Sequence, residues 1–322
     1  MTEPHPPPVL VLTGPTGTGK SDWAMRLAEE LPIEVVSVDS ALVYRGMDIG
    51  TAKPDRALRE RIAHHLIDIL DPAQSYSAGQ FVADATRLIG EIRERGRIPL
   101  LVGGTMLYLR ALAAGIAELP RGSSELRDAI DARGAREGWP QLHAELARVD
   151  PEAAARIHPN DPQRIQRALE VIHLTGRPLS ELQRATQSAV PGRIVRWALA
   201  PADRTVLHAR IAQRLAQMME RGFLSEVAAL HARGDLTARH PALRAVGYRQ
   251  LWAHLSGEYG LEEAVQRALA ATRQLAKRQL TWLRSDPAIR WVDPHSDGAF
   301  GAWKTELRRE LTAPGARQEL SW

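Results

Sequence analysis

The residues best suited to chemistry lie near the N-terminus, in the segment GPTGTGKS at positions 14–21. This segment fits the pattern G-x-x-x-x-G-K-[ST], in which the glycines let successive backbone N–H groups point at phosphate oxygens. The lysine neutralises terminal phosphate charge, and the hydroxyl that follows it can hold Mg²⁺. We therefore predict a phosphate site with Mg²⁺ bound at Ser21. Its candidate residues are Gly14, Pro15, Thr16, Gly17, Thr18, Gly19, Lys20 and Ser21.

Asp39 is the second candidate, because it directly follows a continuous apolar segment, IEVVSV at positions 33–38. Such a segment is typical of a strand buried on both faces of a parallel sheet. In open parallel sheets ligands bind at the carboxyl ends of the strands, so Asp39 is expected close to the phosphate site. Its position alone leaves three roles open, namely general base, metal support or cap of the next helix.

The elements that must position these residues alternate between strands and helices. Short apolar runs predict strands at 9–13, 33–38, 64–70, 98–102, 194–199 and 289–292. Helical periodicity in the first part of the chain predicts helices at 20–31, 77–95 and 105–115. This alternation indicates an α/β fold, a P-loop NTPase-like parallel sheet flanked by helices.

The pattern changes after residue 120, where helical stretches broken by Gly and Pro replace the alternation. We predict a small all-helical insertion domain there, with helices near 124–136, 141–147 and 162–175. The predicted regions are a first part of the P-loop core at 1–120, the insertion at 121–190, a mostly helical second part of the core at 191–295 and a loose polar tail at 296–322.

The composition restricts the class of protein. Apolar residues make up 44% and charged residues 25% of the 322 positions, as in packed soluble proteins. Cys is absent, which excludes disulfides, thiolate chemistry and Cys-ligated metal sites. No apolar run approaches the roughly 20 residues that span a bilayer, and the N-terminus lacks the features of a signal peptide. We expect a cytoplasmic protein with no membrane partner.

Positive charge is concentrated in the C-terminal part of the chain. Residues 1–120 carry 12 Lys+Arg and 15 Asp+Glu, a net charge of −3, whereas residues 121–322 carry 30 and 23, a net charge of +7. Nearly all of the excess is Arg, whose planar fork suits phosphates and base edges. A polyanionic partner and a bias of composition toward Arg are both compatible with these numbers.

The end of the strand predicted at 98–102 bears on the reaction. In an ordinary NTPase the strand that leads to the second metal ligand ends in an acidic residue. Here Gly103, Gly104 and Thr105 follow instead. The phosphate loop taken alone indicates an ATP-binding protein, and this strand end argues against simple ATP hydrolysis.

Several longer segments carry a family resemblance. They are DSALVYRGMDIGTAKP at 39–54, HHLID at 64–68, GGTMLY at 103–108, NDPQRIQR at 160–167, RAVGYRQ at 244–250 and KRQLTWLR at 277–284. In this order, and with residues 9–292 covered, they resemble the signatures of the tRNA dimethylallyltransferases. The absence of Cys fits the bacterial form, because a C-terminal zinc finger would need it. Ser21 stands where the family often has Thr, and the hydroxyl is kept.

The resemblance implies a prenyltransferase that modifies tRNA. Such an enzyme transfers a dimethylallyl group from dimethylallyl diphosphate to N6 of the adenosine 3′-adjacent to the anticodon. The phosphate loop would then hold the diphosphate leaving group, with Mg²⁺ as the cofactor. The catalytic candidates are Lys20 for the diphosphate, Asp39 as the base that takes the N6 proton, and Thr105 as a contact to the target nucleotide.

The implied partner is tRNA, bound through its anticodon stem-loop by the insertion on one side and the C-terminal helices on the other, and we expect a monomer. On a helix near 262–284, Arg273, Lys277 and Arg284 form a basic stripe, for which a solvated face is the alternative. The candidate tRNA-binding residues are Asp39, Ser40, Ala41, Leu42, Thr105, Arg127, Gln163, Arg164, Ile165, Gln166, Arg167, Arg244, Gly247, Tyr248, Arg249, Lys277, Arg278, Gln279, Trp282 and Arg284.

Two other functions remain compatible with the phosphate loop. A small-molecule kinase would share the sheet, the loop and Mg²⁺. An RNA-binding protein could use the loop only as a nucleotide switch. An allylic donor separates the three hypotheses, because only the prenyltransferase would alkylate tRNA with it.

Overall fold

The computed structural model describes residues 8–312 apart from 118, 121, 185–189 and 191. The last part of the predicted tail, residues 313–322, therefore lies outside the described residues. The chain forms two compact units, Met1–Ala113 with Ala189–Trp322, and Ala114–Ser188.

A parallel sheet is the centre of the larger unit. Its described strands are β1 Val9–Thr13, β2 Ile33–Val38, β3 His64–His65, β4 Ile98–Gly103, β5 Ile194–Leu199 and β6 Ile289–Val292. They lie in the order β3, β2, β4, β1, β5, β6, and every pair of neighbours is parallel. All carboxyl ends therefore meet at one edge of the sheet, and the predicted α/β class is confirmed.

Helices fill most of the remaining chain. Those of the larger unit are α1 Lys20–Ala28, α2 Arg56–Arg61, α3 Ala78–Glu94, α4 Met106–Ala114, α10 Arg204–Glu220, α11 Phe223–His231, the 3₁₀ helix Pro241–Arg244, α12 Tyr248–Leu255, α13 Leu261–Arg284 and α14 Ala299–Thr312. Those of the smaller unit are α5 Ser124–Glu137, α6 Trp139–Val149, α7 Pro151–Arg156, α8 Pro162–Thr175 and α9 Leu179–Arg184. No described helix is long and apolar enough to cross a bilayer.

The strand predicted at 64–70 is wrong beyond its first two residues. His64 and His65 pair with β2, but Leu66 and Asp68 have φ of 62° and 57°. This left-handed backbone ends the extended conformation that a strand requires. The Asp68 carboxylate instead forms ion pairs with Lys53 and with Arg59, the latter at 2.6 Å.

Helix α14 corrects the prediction of a loose tail at 296–322. Trp303 is only 1% exposed, and its ring centroid lies 5.2 Å from that of Trp23 and 6.1 Å from that of Trp197. Leu307, one turn later, is fully buried in the same cluster. The polar composition conceals this helix because only one narrow stripe of it is apolar.

The smaller unit has a hydrophobic core of its own. Leu142, Leu146 and Ile165 are fully buried there. Asp150 and Asp161 cap α7 and α8 by accepting hydrogen bonds from the first turns of these helices. The unit overlaps the region predicted as a helical insertion.

Replacing Trp303 by Ala is expected to lower the free energy of unfolding by about 3–5 kcal/mol, because a large buried side chain leaves a cavity. Urea unfolding followed by far-UV circular dichroism measures the loss. The control is Trp291→Ala, which removes a side chain that is 44% exposed and should cost at most about 1 kcal/mol. Equal stability of the two variants would contradict the packing of α14.

Candidate active site at the carboxyl edge of the sheet

The phosphate loop joins β1 to α1 at the carboxyl edge of the sheet. Gly14, Gly17 and Gly19 have φ of 136°, 84° and 85°, a backbone conformation that residues with a β-carbon rarely adopt. A β-carbon on Gly14 would also collide with the carbonyl oxygen of Leu199 in β5. The glycines are therefore required by the curl of the loop and by its close approach to the neighbouring strand.

Lys20 is half-buried and turned onto its own loop. Its Nζ donates hydrogen bonds to the carbonyl oxygens of Gly14 at 2.9 Å and Pro15 at 2.8 Å. Burial and the nearby Arg214 guanidinium lower the pKa of Lys20 to about 7, with Asp39 acting in the opposite direction. The amine is therefore close to half-protonated at neutral pH when no anion is bound.

Gln279 in α13 connects the phosphate loop to the end of β4. Its Oε1 accepts a hydrogen bond from the backbone N–H of Thr16 at 3.0 Å, and its Nε2 donates to the carbonyl oxygen of Gly104 at 2.7 Å. The side chain is buried, at 8% exposure. Both ends of its amide are thus engaged within the protein, which corrects the prediction that Gln279 contacts tRNA.

Asp39 and Thr105 meet where β2 and β4 end. The Thr105 hydroxyl accepts a hydrogen bond from the backbone N–H of Ser40 at 3.0 Å, and the Thr105 N–H donates to Val38 at 3.1 Å. Asp39 Oδ1 accepts from the N–H of Ala41 at 2.8 Å. The structure therefore brings together these two predicted catalytic residues, and the charge of Asp39 raises the pKa of the third, Lys20.

Two arginines of α10 were missed by the sequence analysis. The Nε of Arg210 donates to the carbonyl oxygen of Gly17 at 2.9 Å, so this side chain lies on the phosphate loop. Arg214 donates to the carbonyl oxygen of Thr51 at 3.4 Å, and its charge acts on both Lys20 and Asp39. Their spacing of four residues puts both on one helix face, which is a signal that the sequence already contained.

Glu226 in α11 was also missed. Its Oε2 accepts from the N–H groups of Asp48 at 2.8 Å and Ile49 at 2.7 Å. Its Oε1 accepts from the N–H of Gly50 at 3.1 Å and from the Tyr248 hydroxyl at 2.5 Å. One carboxylate thus fixes the loop that follows Asp39 in the chain to the start of α12. Partners so distant in the chain leave no local sequence signal.

The predicted tRNA-binding residues of the larger unit differ in exposure. Gly247 and Tyr248 are buried, Tyr248 completely, so they offer no surface to RNA, which corrects the prediction that they bind tRNA. The buried Tyr248 supports Glu226 instead. The exposed or half-exposed candidates are Ser40, Ala41, Leu42, Arg244, Arg249, Lys277, Arg278, Trp282 and Arg284.

The candidates in the smaller unit divide in the same way. Gln163 and Arg164 are exposed, and Gln166 is half-buried and donates to Asp131 at 2.5 Å. Ile165 has no exposed surface and packs in the core, so its predicted contact with RNA is corrected.

Arg127 and Arg167 of the same unit are already paired with a carboxylate. They contact the fully buried Glu170, Arg127 at 2.8 Å and Arg167 at 2.5 Å. A buried carboxylate needs such partners, so both arginines have a structural role in addition to any contact with RNA.

Sequence comparison places the chain beside proteins of one kind. The family model described as IPP transferase matches residues 42–286. A tRNA dimethylallyltransferase of Methylococcus capsulatus is 55% identical over 312 residues, with 97% of this chain and 100% of the relative covered. A protein of the same name from Bordetella petrii is 58% identical over 297 residues, with 91% and 95% covered.

Solved structures with the same fold agree with these relatives. The full-length tRNA isopentenylpyrophosphate transferase of Bacillus halodurans is 38% identical, has a TM-score of 0.69 and covers 95% of this chain and 97% of its own. A eukaryotic dimethylallyltransferase acting on tRNA is 26% identical and has a TM-score of 0.81, with 98% and 82% covered.

The affinity for inorganic diphosphate is expected to fall as the pH rises above about 7. The bound anion raises the pKa of Lys20. At a pH above the pKa of the unbound protein, binding therefore takes up a proton. The affinity then falls by up to about tenfold per pH unit. Calorimetry at several pH values, in buffers of different ionisation enthalpy, measures both effects. Lys20→Arg stays charged and corrects for the titration of diphosphate itself. The same pH dependence in both proteins would contradict the assignment to Lys20.

Proposed function

Because the chain belongs to the IPP transferase family, we propose that it transfers a dimethylallyl group from dimethylallyl diphosphate to tRNA. The observation that carries this conclusion is the identity of 55–58% to tRNA dimethylallyltransferases over at least 90% of the chain. The acceptor atom is N6 of the adenosine 3′-adjacent to the anticodon. The enzyme acts as a monomer.

The phosphate loop holds the diphosphate of the donor. Backbone N–H groups of the loop and the positive end of α1 face the phosphate oxygens. Lys20 and Arg214 supply positive charge, and Arg210 is held at the same loop by Gly17. These groups stabilise the negative charge that grows on the diphosphate as the allylic C–O bond breaks.

Mg²⁺ fits the residues present at this site. Ser21 is exposed in the first turn of α1, beside Asp22, so hydroxyl and carboxylate oxygens are at hand. Hard oxygen ligands of this kind, completed by phosphate oxygens, are those that Mg²⁺ prefers. When bound, the ion neutralises charge on the leaving group.

Asp39 acts as the general base. The lone pair of the adenine amine is delocalised, so N6 is a poor nucleophile until its proton is removed. As the C–N bond forms and the C–O bond breaks, the N6 proton passes to the Asp39 carboxylate and diphosphate departs. Because Oδ1 already accepts from Ala41, Oδ2 is the oxygen that takes the proton.

The tRNA must present this adenosine outside its base stack, because the catalytic groups lie at the ends of buried strands. Thr105, held against Ser40, contacts the nucleotide. Arg244, Arg249 and Lys277 are exposed and bind phosphates of the anticodon stem-loop.

A purified sample given unmodified tRNA, dimethylallyl diphosphate and Mg²⁺ is expected to add one dimethylallyl group to one adenosine without ATP. Mass spectrometry of the digested tRNA locates the group. ATP consumption with no alkylated tRNA would instead support a kinase. RNA binding with neither reaction would support a binding protein.

Asp39→Asn is expected to lower kcat by about 10²–10⁴-fold, because the amide keeps the hydrogen bond to Ala41 but cannot take a proton. Affinity for tRNA should stay within about threefold, since the shape and packing of the side chain are retained. Single-turnover rates and filter binding measure the two quantities. Asp55→Asn is the matched control. Asp55 caps α2, and an asparagine at this position can accept the same hydrogen bond. A normal rate for Asp39→Asn would remove this residue from the mechanism.

A further inference from the structure

Helix α4 has an exposed face next to the site. None of the site residues predicted from the sequence lies on this helix. Leu107 is 57% exposed, and Arg110, three residues later on the same side of the helix, is exposed as well. Tyr108, Leu109 and Leu112, between and after them, are buried in the core under the sheet. The helix is thus anchored by one face, and its other face offers a leucine and an arginine.

This face begins at the mouth of the site. Thr105 directly precedes α4, and Leu107 follows it by two residues, about 3 Å along the helix axis. Gln279 fixes the loop before α4 by its bond to Gly104. The position of Leu107 and Arg110 relative to Thr105 is therefore determined by ordered structure.

Trp282 of α13 lies beside Arg110. The guanidinium carbon of Arg110 is 5.7 Å from the centre of the Trp282 ring, and this ring is half-buried. Arg278, one turn earlier on α13, is exposed. The two helices together form what we call the α4 surface, composed of Leu107, Arg110, Arg278 and Trp282.

The α4 surface carries two cations, Arg110 and Arg278. Among the described residues, Arg110 and Arg278 form no ion pair. Some other exposed arginines of the larger unit do, such as Arg87 with Glu91 at 2.7 Å. Residues 264–285 contain no Asp or Glu at all. This surface is therefore suited to a polyanion that also has apolar faces.

We propose that the α4 surface contacts the unpaired RNA loop that carries the target adenosine. Leu107 fills the gap that the extruded base leaves in the stack, and Arg110 binds a phosphate of the same loop. Apolar side chains inserted between bases and arginines on phosphates are common in nucleic-acid recognition. The inference rests on the proposed function and adds two residues that recognise the substrate.

Arg110→Ala tests the phosphate contact. The KM for tRNA is expected to rise about tenfold, since a hydrogen bond to a charged group is lost. The KM for dimethylallyl diphosphate should be unchanged. The slope of log affinity against log salt should fall by about one. Arg110→Lys, which keeps the charge, should restore the slope. Arg87→Ala, an exposed arginine with a carboxylate partner, is the control and should change neither quantity.

Leu107→Ala tests the wedge. A tRNA anticodon stem-loop with 2-aminopurine at the target position reports extrusion of the base, because its fluorescence rises on unstacking. The variant should reduce this rise about twofold or more, since nothing replaces the lost stacking. The control is Leu261→Ala, an exposed leucine at the other end of α13, which should leave the rise unchanged.

The outcomes separate this inference from the proposed function. A wild-type protein that alkylates no tRNA overturns the proposed function and, with it, the substrate of the α4 surface. A wild-type protein that alkylates tRNA, with unchanged salt slope in Arg110→Ala and unchanged fluorescence in Leu107→Ala, overturns only the α4 surface. The losses expected above, with both controls normal, support it.

Discussion

The carboxamide of Gln279 joins three parts of the molecule that are far apart in the chain. It accepts a hydrogen bond from the phosphate loop at Thr16 and donates one to Gly104, while its own backbone belongs to α13. A buried amide with both ends engaged holds one geometry, because breaking either bond leaves a polar group unsatisfied. The phosphate loop, the chain segment at Thr105 and the part of α13 around Gln279 consequently keep fixed distances from one another.

The charges of the two units differ in whether they have a partner within the protein. In the smaller unit Glu170 engages Arg127 and Arg167, and Arg133 contacts Glu137 and Glu145. These ion pairs are complete within the protein, so the buried Glu170 carboxylate is not left without a partner.

At the carboxyl edge of the sheet, Asp39 compensates the charges of Lys20 and Arg214 only in part. Among the described residues, Lys20 donates hydrogen bonds to backbone carbonyl oxygens, and its pKa is lowered by burial and by the Arg214 guanidinium more than Asp39 raises it. A polyanionic substrate supplies what the protein lacks there, so binding is favoured without disrupting an existing ion pair.

Sequence patterns predicted those parts of the structure that depend on local rules. Five of the six strands were predicted to within one residue at either end, because a run such as VLVLT is buried on both faces. The strand at 64–70 failed because left-handed residues such as Leu66 are chosen by tertiary contacts. Gln279, Tyr248 and Ile165 lie in segments with the right signature, but burial gives them a supporting position. No periodicity reveals which residues of a signature face inward.

Helix α14 closes the hydrophobic cluster that β1 and α1 begin. Leu10, Leu12 and Trp23 belong to this cluster, and so do Trp303 and Leu307. About 280 residues separate Trp23 from Trp303, so this core is assembled from the first and the last described elements of the chain. During synthesis on a ribosome, the first strand emerges long before the helix that covers it. Until α14 has been synthesised, the apolar face of β1 and α1 that it covers stays exposed. Chaperones are needed during this period, because exposed apolar surface is prone to aggregation.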